Sequence, residues 1–239
     1  MHVLGGKLEG VKTVLSDIIL ILRMLGLLLN KKYSLDKLIA VCKKNRVFTI
    51  ADEVMTGFGK TGKTFACNYL NEQPDMMCLS KALTAGAIPM ALTTFTQEIF
   101  DGFLDADVNK ALFHGHTFTA NPTGCAAALA GLSLLESDEM QANIQRIHQK
   151  HLAFQSQIAQ HSKVKITRVL GVIFALEIKT DNTESYYGNL RNKLYHFFIE
   201  NGIILRPVGN IVYILPPYVI TDPQLDKVYQ IVERAIEMV

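Results

Sequence analysis

Val47-Phe48-Thr49-Ile50-Ala51-Asp52-Glu53-Val54-Met55-Thr56-Gly57-Phe58-Gly59-Lys60-Thr61-Gly62 is an apolar run that ends on two carboxylates and opens into a glycine-rich turn. A second run, Asp75-Met76-Met77-Cys78-Leu79-Ser80-Lys81, ends on an amine and is followed by small residues, Ala82, Ala85 and Gly86 among them. Asp52 and Lys81 stand 29 positions apart, each closing a short apolar strand. A carboxylate and an amine left unpaired in such places are unfavourable. A group held between them relieves both. Pyridoxal phosphate fits, because its aldehyde takes a lysine amine and its ring nitrogen takes a carboxylate that keeps it protonated.

The same residues support two other readings. Gly57 to Thr64 spells the phosphate-cradling pattern G-x-x-x-x-G-K-[ST]. That pattern binds nucleotide only where the loop joins a strand directly to a helix N-terminus. Here Glu53 to Thr56 intervene, and two acids ahead of the loop would repel a triphosphate. A glycine-rich surface turn beside two unrelated charges is the third reading.

Periodicity extends the frame around this stretch. Leu35, Leu38, Ile39 and Cys42 recur at helical spacing, with Ser34 as N-cap, Asp36 at the positive end and Lys43-Lys44 at the negative end. This helix feeds the strand that ends at Asp52. Residues 76–79 and 90–95 read as further strands, and Thr96 caps a helix over 97–104. Alternating helices and buried strands predict an α/β fold with a mainly parallel sheet, whose ligands bind beyond the carboxyl ends of the strands. A small-residue helix follows Asn121-Pro122, and a long polar helix over 138–160 is expected to bridge two subdomains. Beyond it come strands over 164–168 and 172–178, and a helix over 184–200 stopped by Gly202. Strands near 203–206 and 211–215 and a helix after Pro223 complete a small C-terminal α/β domain. The expected division is 1–32, 33–136 and 137–239.

Composition narrows the function classes. Of 239 residues, 49% are hydrophobic and 19% charged, below the ~25% charged that is usual in soluble domains. Apolar surface meant for another subunit, or for a further part of the same fold, is the simplest cause. A net charge of +2 with scattered basic residues argues against nucleic acid. Cys42, Cys67, Cys78 and Cys125 show no zinc or redox spacing, and two of them lie inside apolar runs, which suits small core fillers in a reducing cytosol. His114-Gly115-His116 and the pair His148 and His151 lack carboxylate or thiol partners at metal spacing, so no metal is expected. Residues 18–29 form a twelve-residue apolar run broken by Arg23, short of the ~20 that span a bilayer. No small-residue cleavage site follows it, and residues 1–32 read as an atypical start or a frame shift.

From residue 33 onward the chain resembles the class III aminotransferases, pyridoxal-phosphate enzymes that carry Asp-Glu-Val/Ile-x-x-Gly-Phe-Gly and then Ser-Lys. Residues 74–84, 113–122 (Phe-His-Gly-His-Thr-Phe-Thr-Ala-Asn-Pro) and 205–218 (Leu-Arg-Pro-Val-Gly-Asn-Ile-Val-Tyr-Ile-Leu-Pro-Pro-Tyr) look like the biotin-pathway branch of that family. The resemblance implies fold type I: part of the large cofactor-binding domain plus the small C-terminal domain, in a cytoplasmic homodimer. Lys81 would take the cofactor aldehyde and, once freed by the substrate amine, shuttle a proton; Asp52 would hold the ring nitrogen. Thr117, with His116 and Gly115 alongside, would reach the cofactor phosphate of the neighbouring subunit. Arg206 follows an apolar strand and precedes Pro207, and its planar fork suits a carboxylate. By resemblance that carboxylate belongs to 8-amino-7-oxononanoate, with S-adenosylmethionine as amino donor and 7,8-diaminononanoate as product. An internal salt bridge is the alternative for Arg206, and another class III ω-aminotransferase is the alternative for the whole. Lys60 departs from the family's usual arginine. Residues 1–32 offer no glycine/serine phosphate loop and no stacking aromatic ring, so this polypeptide alone is expected to hold the cofactor weakly or not at all.

Overall fold

The computed structural model describes residues 12–15, 32–180 and 189–239. They fall into two compact units. The first holds the described residues up to Phe58 together with Thr64–Leu135; the second holds Gly59–Lys63 and Glu136–Val239.

The first unit is built on a four-stranded sheet in the order β1 (Lys12–Leu15), β2 (Val47–Asp52), β3 (Met76–Leu79), β4 (Leu92–Phe95). The pairs β1–β2 and β2–β3 are parallel, and β4 runs antiparallel to β3. Helix α1 (Lys32–Lys44) packs on β2 and buries Ile39 and Cys42, as its apolar stripe predicts, while Leu38 stays exposed. The helix begins at Lys32, so Ser34 is not its N-cap. Asp36 also has another task. Its carboxylate accepts from the N–H groups of Asn71 (2.7 Å) and Glu72 (3.1 Å), satisfying a turn that has no backbone partner for them. Asp75 ties β3 to β2 by accepting from both the N–H and the hydroxyl of Thr49, each at 2.7 Å. Helix α2 (Gln97–Asp101) starts after Thr96 and is shorter than expected, stopping at Gly102. Helix α3 (Pro122–Glu136) carries the small-residue run.

The second unit is an antiparallel sheet of β5 (Val164–Leu170), β6 (Ile173–Ile178) and β7 (Ile211–Ile214), with β6 in the centre. Its helices are α4 (Asp138–Ile158), α5 (Asn189–Glu200) and α6 (Asp222–Met238). The Ser137 hydroxyl caps α4 by accepting from the Met140 N–H. This helix is not a bridge between subdomains. Ile144, Ile147, His151, Phe154 and Ile158 form a buried stripe at spacings of three and four, and α4 packs on β5 and β6. The Thr221 N–H donates to Gln224 Oε1 at 2.9 Å ahead of Pro223 where α6 opens. Gly202, at φ +77°, ends α5 in the left-handed conformation that a helix C-terminus favours; the expected start of that helix, 184–188, lies outside the described residues. No strand forms over 203–206. Ile204 is exposed there, and Pro207 has no N–H to give a ladder. Among the described residues no helix is long and apolar enough to cross a membrane; the run over 18–29 lies outside them.

Candidate functional site

Strands β2 and β3 lie side by side with Asp52 opposite Cys78, so both end at the same rim of the sheet. Asp52 is half-buried, and one of its carboxylate oxygens accepts from the Val54 N–H at 2.9 Å. This local turn fixes the carboxylate at the rim and leaves its second oxygen for another donor. Lys81 lies two residues past the end of β3 and is exposed. Among the described residues neither Asp52 nor Lys81 enters a salt bridge. The amine therefore stands at an open rim, not in the dry interior that its apolar run suggested.

The loop after Lys81 is a series of tight turns. The Ser80 hydroxyl donates to Met90 O at 3.0 Å, and the Thr84 hydroxyl donates to Ile88 O at 2.6 Å. Helix α3 lies close against it. A Cβ on Gly131 would stand 2.9 Å from Leu83 O, and one on Gly124 would stand 3.1 Å from Met90 Sδ. The small residues of α3 are what admit the Lys81 loop at this distance.

Glu53 is the site residue that sequence reasoning missed. It is 2% exposed. Its carboxylate accepts from the Cys67 N–H at 2.7 Å and from the Thr56 hydroxyl, and its carbonyl accepts from the Gly57 N–H at 2.9 Å. A Cβ on Gly57 would lie 2.9 Å from that carbonyl, which is why glycine stands there. Burial, with the Glu53 charge second, pushes the Cys67 thiol up to about 12. Alternation sends two adjacent acids at a strand end to opposite sides but does not say which of them faces inward. Phe58 is held at φ 60°, buried and edge-on to Phe65 with centroids 5.6 Å apart. A left-handed bulky residue costs roughly 1–2 kcal/mol. Phe58, Ala85 and Ala120 have positive φ in the loops that follow Asp52, Lys81 and Thr117. Such strain collects at functional sites.

The nucleotide-loop reading fails on the local structure. No α-helix follows Thr64; the next element is a four-residue 3₁₀ turn, Ala66–Tyr69. Gly115, His116 and Thr117 form a separate exposed turn of the first unit. It closes on itself, with the His116 N–H donating to Thr119 Oγ1 at 2.9 Å and the Phe118 N–H to His116 Nδ1 at 3.1 Å. Phe113 and Phe118 beside it are 79% and 72% exposed. Arg206 is an exposed loop residue of the second unit and enters no salt bridge among the described residues. In the same unit the Lys60 amine lies 4.2 Å from the centroid of the Tyr218 ring, and burial lowers its pKa. Among the described residues no group of three or more His, Cys, Asp or Glu could hold a metal ion.

The family model for class-III aminotransferases matches residues 24–236. The chain belongs to the class-III aminotransferase family. The match reaches upstream of residue 33, where the resemblance was expected to begin. Among its relatives, the adenosylmethionine-8-amino-7-oxononanoate aminotransferase of Synechococcus elongatus is 43% identical over 180 residues, covering 75% of this chain and 42% of the relative. That of Geobacter sulfurreducens is 37% identical over 207 residues, covering 83% and 45%. The solved structure of the Methanocaldococcus jannaschii enzyme of the same name superposes with a TM-score of 0.78 at 33% identity, over 86% of this chain and 49% of that one. This class-III chain thus spans about half the length of the relatives it matches.

Proposed function

We propose that this class-III chain carries the lysine and the aspartate of a pyridoxal-phosphate aminotransferase, and that its reaction moves the amino group of S-adenosylmethionine to 8-amino-7-oxononanoate. One observation carries the first part: Asp52 ends β2 and Lys81 lies two residues past the end of the adjacent parallel β3, with no anion or cation of the described residues paired to either. The donor set fits the cofactor. An exposed amine can take its aldehyde, and the free oxygen of Asp52, steadied by the Val54 N–H, can accept from a protonated ring nitrogen. When bound, pyridoxal phosphate supplies an electron sink for charge that develops at the substrate carbon. Lys81 is the group placed to take a proton from that carbon and return it, a task worth ~10²–10⁴-fold. Glu53 holds the loop after Asp52 and needs no contact with substrate to do so.

The substrate assignment rests on the relatives' shared name and on the segments over 113–122 and 205–218. Arg206, exposed and outside any salt bridge of the described residues, suits the carboxylate of the oxononanoate. Thr117, with Gly115 and His116, serves the cofactor phosphate of a neighbouring copy, in a homodimer. The proposed organisation is a large-domain portion over 33–136 and a small domain over 137–239. Formation of 7,8-diaminononanoate from the two substrates, lost in Lys81→Ala, is the expected result of a direct assay. Amination supported only by another donor would point to a different ω-aminotransferase, and activity retained in Lys81→Ala would remove Lys81 from the chemistry.

A further inference from the structure

The second unit holds its Gly59–Lys63 segment partly by backbone. The Val172 N–H donates to Lys60 O at 3.1 Å. Gly171, at φ +57°, presses so closely that a Cβ there would lie 2.2 Å from Gly62 N and 2.7 Å from Lys60 O. The turn between β5 and β6 is therefore a grip on the backbone of Lys60. Two histidines of α4 in turn hold the grip. His148 Nδ1 lies 3.0 Å from Gly171 O, and His151 Nε2 lies 3.1 Å from Val172 O. A carbonyl only accepts, so each of those ring nitrogens is the protonated donor. The other nitrogen of His151 accepts from the Tyr229 hydroxyl at 2.8 Å, which fixes the tautomer from α6. The i,i+3 histidine pair, without metal partners in the sequence, thus has two consecutive carbonyls as its targets.

We infer that His148 and His151 are positioning residues for Lys60: by donating to Gly171 O and Val172 O they set the turn that grips the Lys60 backbone, and so hold its amine over Tyr218. This rests on the proposed aminotransferase function, in which Lys60 stands where the family usually has arginine. A lone amine on a flexible four-carbon stem is a poor recognition element unless its backbone is fixed. The chain has lysine here, not a bidentate arginine, so the grip supplies order that the side chain lacks.

The test is competitive acetylation of lysines in the full 239-residue chain, followed by peptide mapping, with Lys163 as internal monitor. His148→Leu and His151→Met remove the donors; His148→Asn and His151→Gln keep an N–H near the Nδ1 and Nε2 positions. The expected result is several-fold faster acetylation of Lys60 in the donor-less variants, an unchanged Lys163, and a return toward the wild-type rate in the donor-keeping pair. Should His151→Met fail to fold, His148→Leu at its half-buried position carries the same comparison. Wild-type acetylation of Lys60 in a folded donor-less variant overturns the inference. So does acceleration of Lys163 in step with Lys60, or failure of Asn and Gln to restore the rate. Labelling needs neither cofactor nor substrate, so a chain without aminotransferase activity still returns an answer.

Discussion

At the scale of single residues, the two acids that end β2 divide the work. Asp52 stays at the rim with one oxygen free, and Glu53 turns inward, where the Cys67 N–H and the Thr56 hydroxyl satisfy it. Glu53→Ala leaves both donors buried without an acceptor, at about 1–3 kcal/mol each. Urea unfolding should show that loss, with Asp52→Asn close to wild type in stability but impaired in turnover. A thiol raised to about 12 is almost wholly protonated at pH 8, so a disulfide reagent should leave Cys67 unmodified until the chain unfolds. As candidates, Asp52 and Lys81 were legible in the sequence because each closes an apolar run. Glu53 was not, because nothing in a string of letters says which of two neighbouring carboxylates finds a buried donor 14 positions away.

At the scale of elements, α4, the β5–β6 turn and α6 meet at His151, which is fully buried. Burial pulls its imidazole down to about 4. Its folded pKa lies below the ordinary 6.5, so the fold favours the neutral ring. That stability is full above pH 6.5 and is lost as pH falls toward 4, by about 3 kcal/mol in all. The ring faces Val172 O, the Tyr229 hydroxyl and, from its own helix, His148. Chemical unfolding at pH 7.5 and pH 5 should show the decline in the wild type and a much flatter profile in His151→Phe. Gly171→Ala should be severely destabilising, since its Cβ meets backbone at 2.2 Å in a left-handed conformation. Strands 47–52 and 76–79 were read correctly because continuous apolar runs bounded by turn residues have few alternatives. The apolar run over 203–206 formed no strand; Gly202 precedes it at φ +77°, and Pro207 after it cannot donate to a ladder.

At the scale of the whole molecule, the low charged fraction has a structural counterpart. Leu129, Leu132 and Leu134 on α3, Phe95 on β4, and Phe113 and Phe118 near the His116 turn are all exposed. Apolar surface of this kind suits another subunit or a further part of the same fold. Sedimentation at increasing concentration should show self-association, and Phe113→Ser with Phe118→Ser should weaken it without changing the unfolding of the second unit. The placing of Gly59–Lys63 in the second unit was not legible in the sequence, because it depends on Gly171 approaching that backbone across more than a hundred residues.

The central claim, that Lys81 is the cofactor lysine, is tested most directly by incubating the chain with excess pyridoxal phosphate, reducing with borohydride and mapping the pyridoxyl group. The account predicts a single major site at Lys81, lost in Lys81→Ala and weakened in Asp52→Asn. Labelling centred on Lys63, or spread evenly over the exposed lysines, would contradict it.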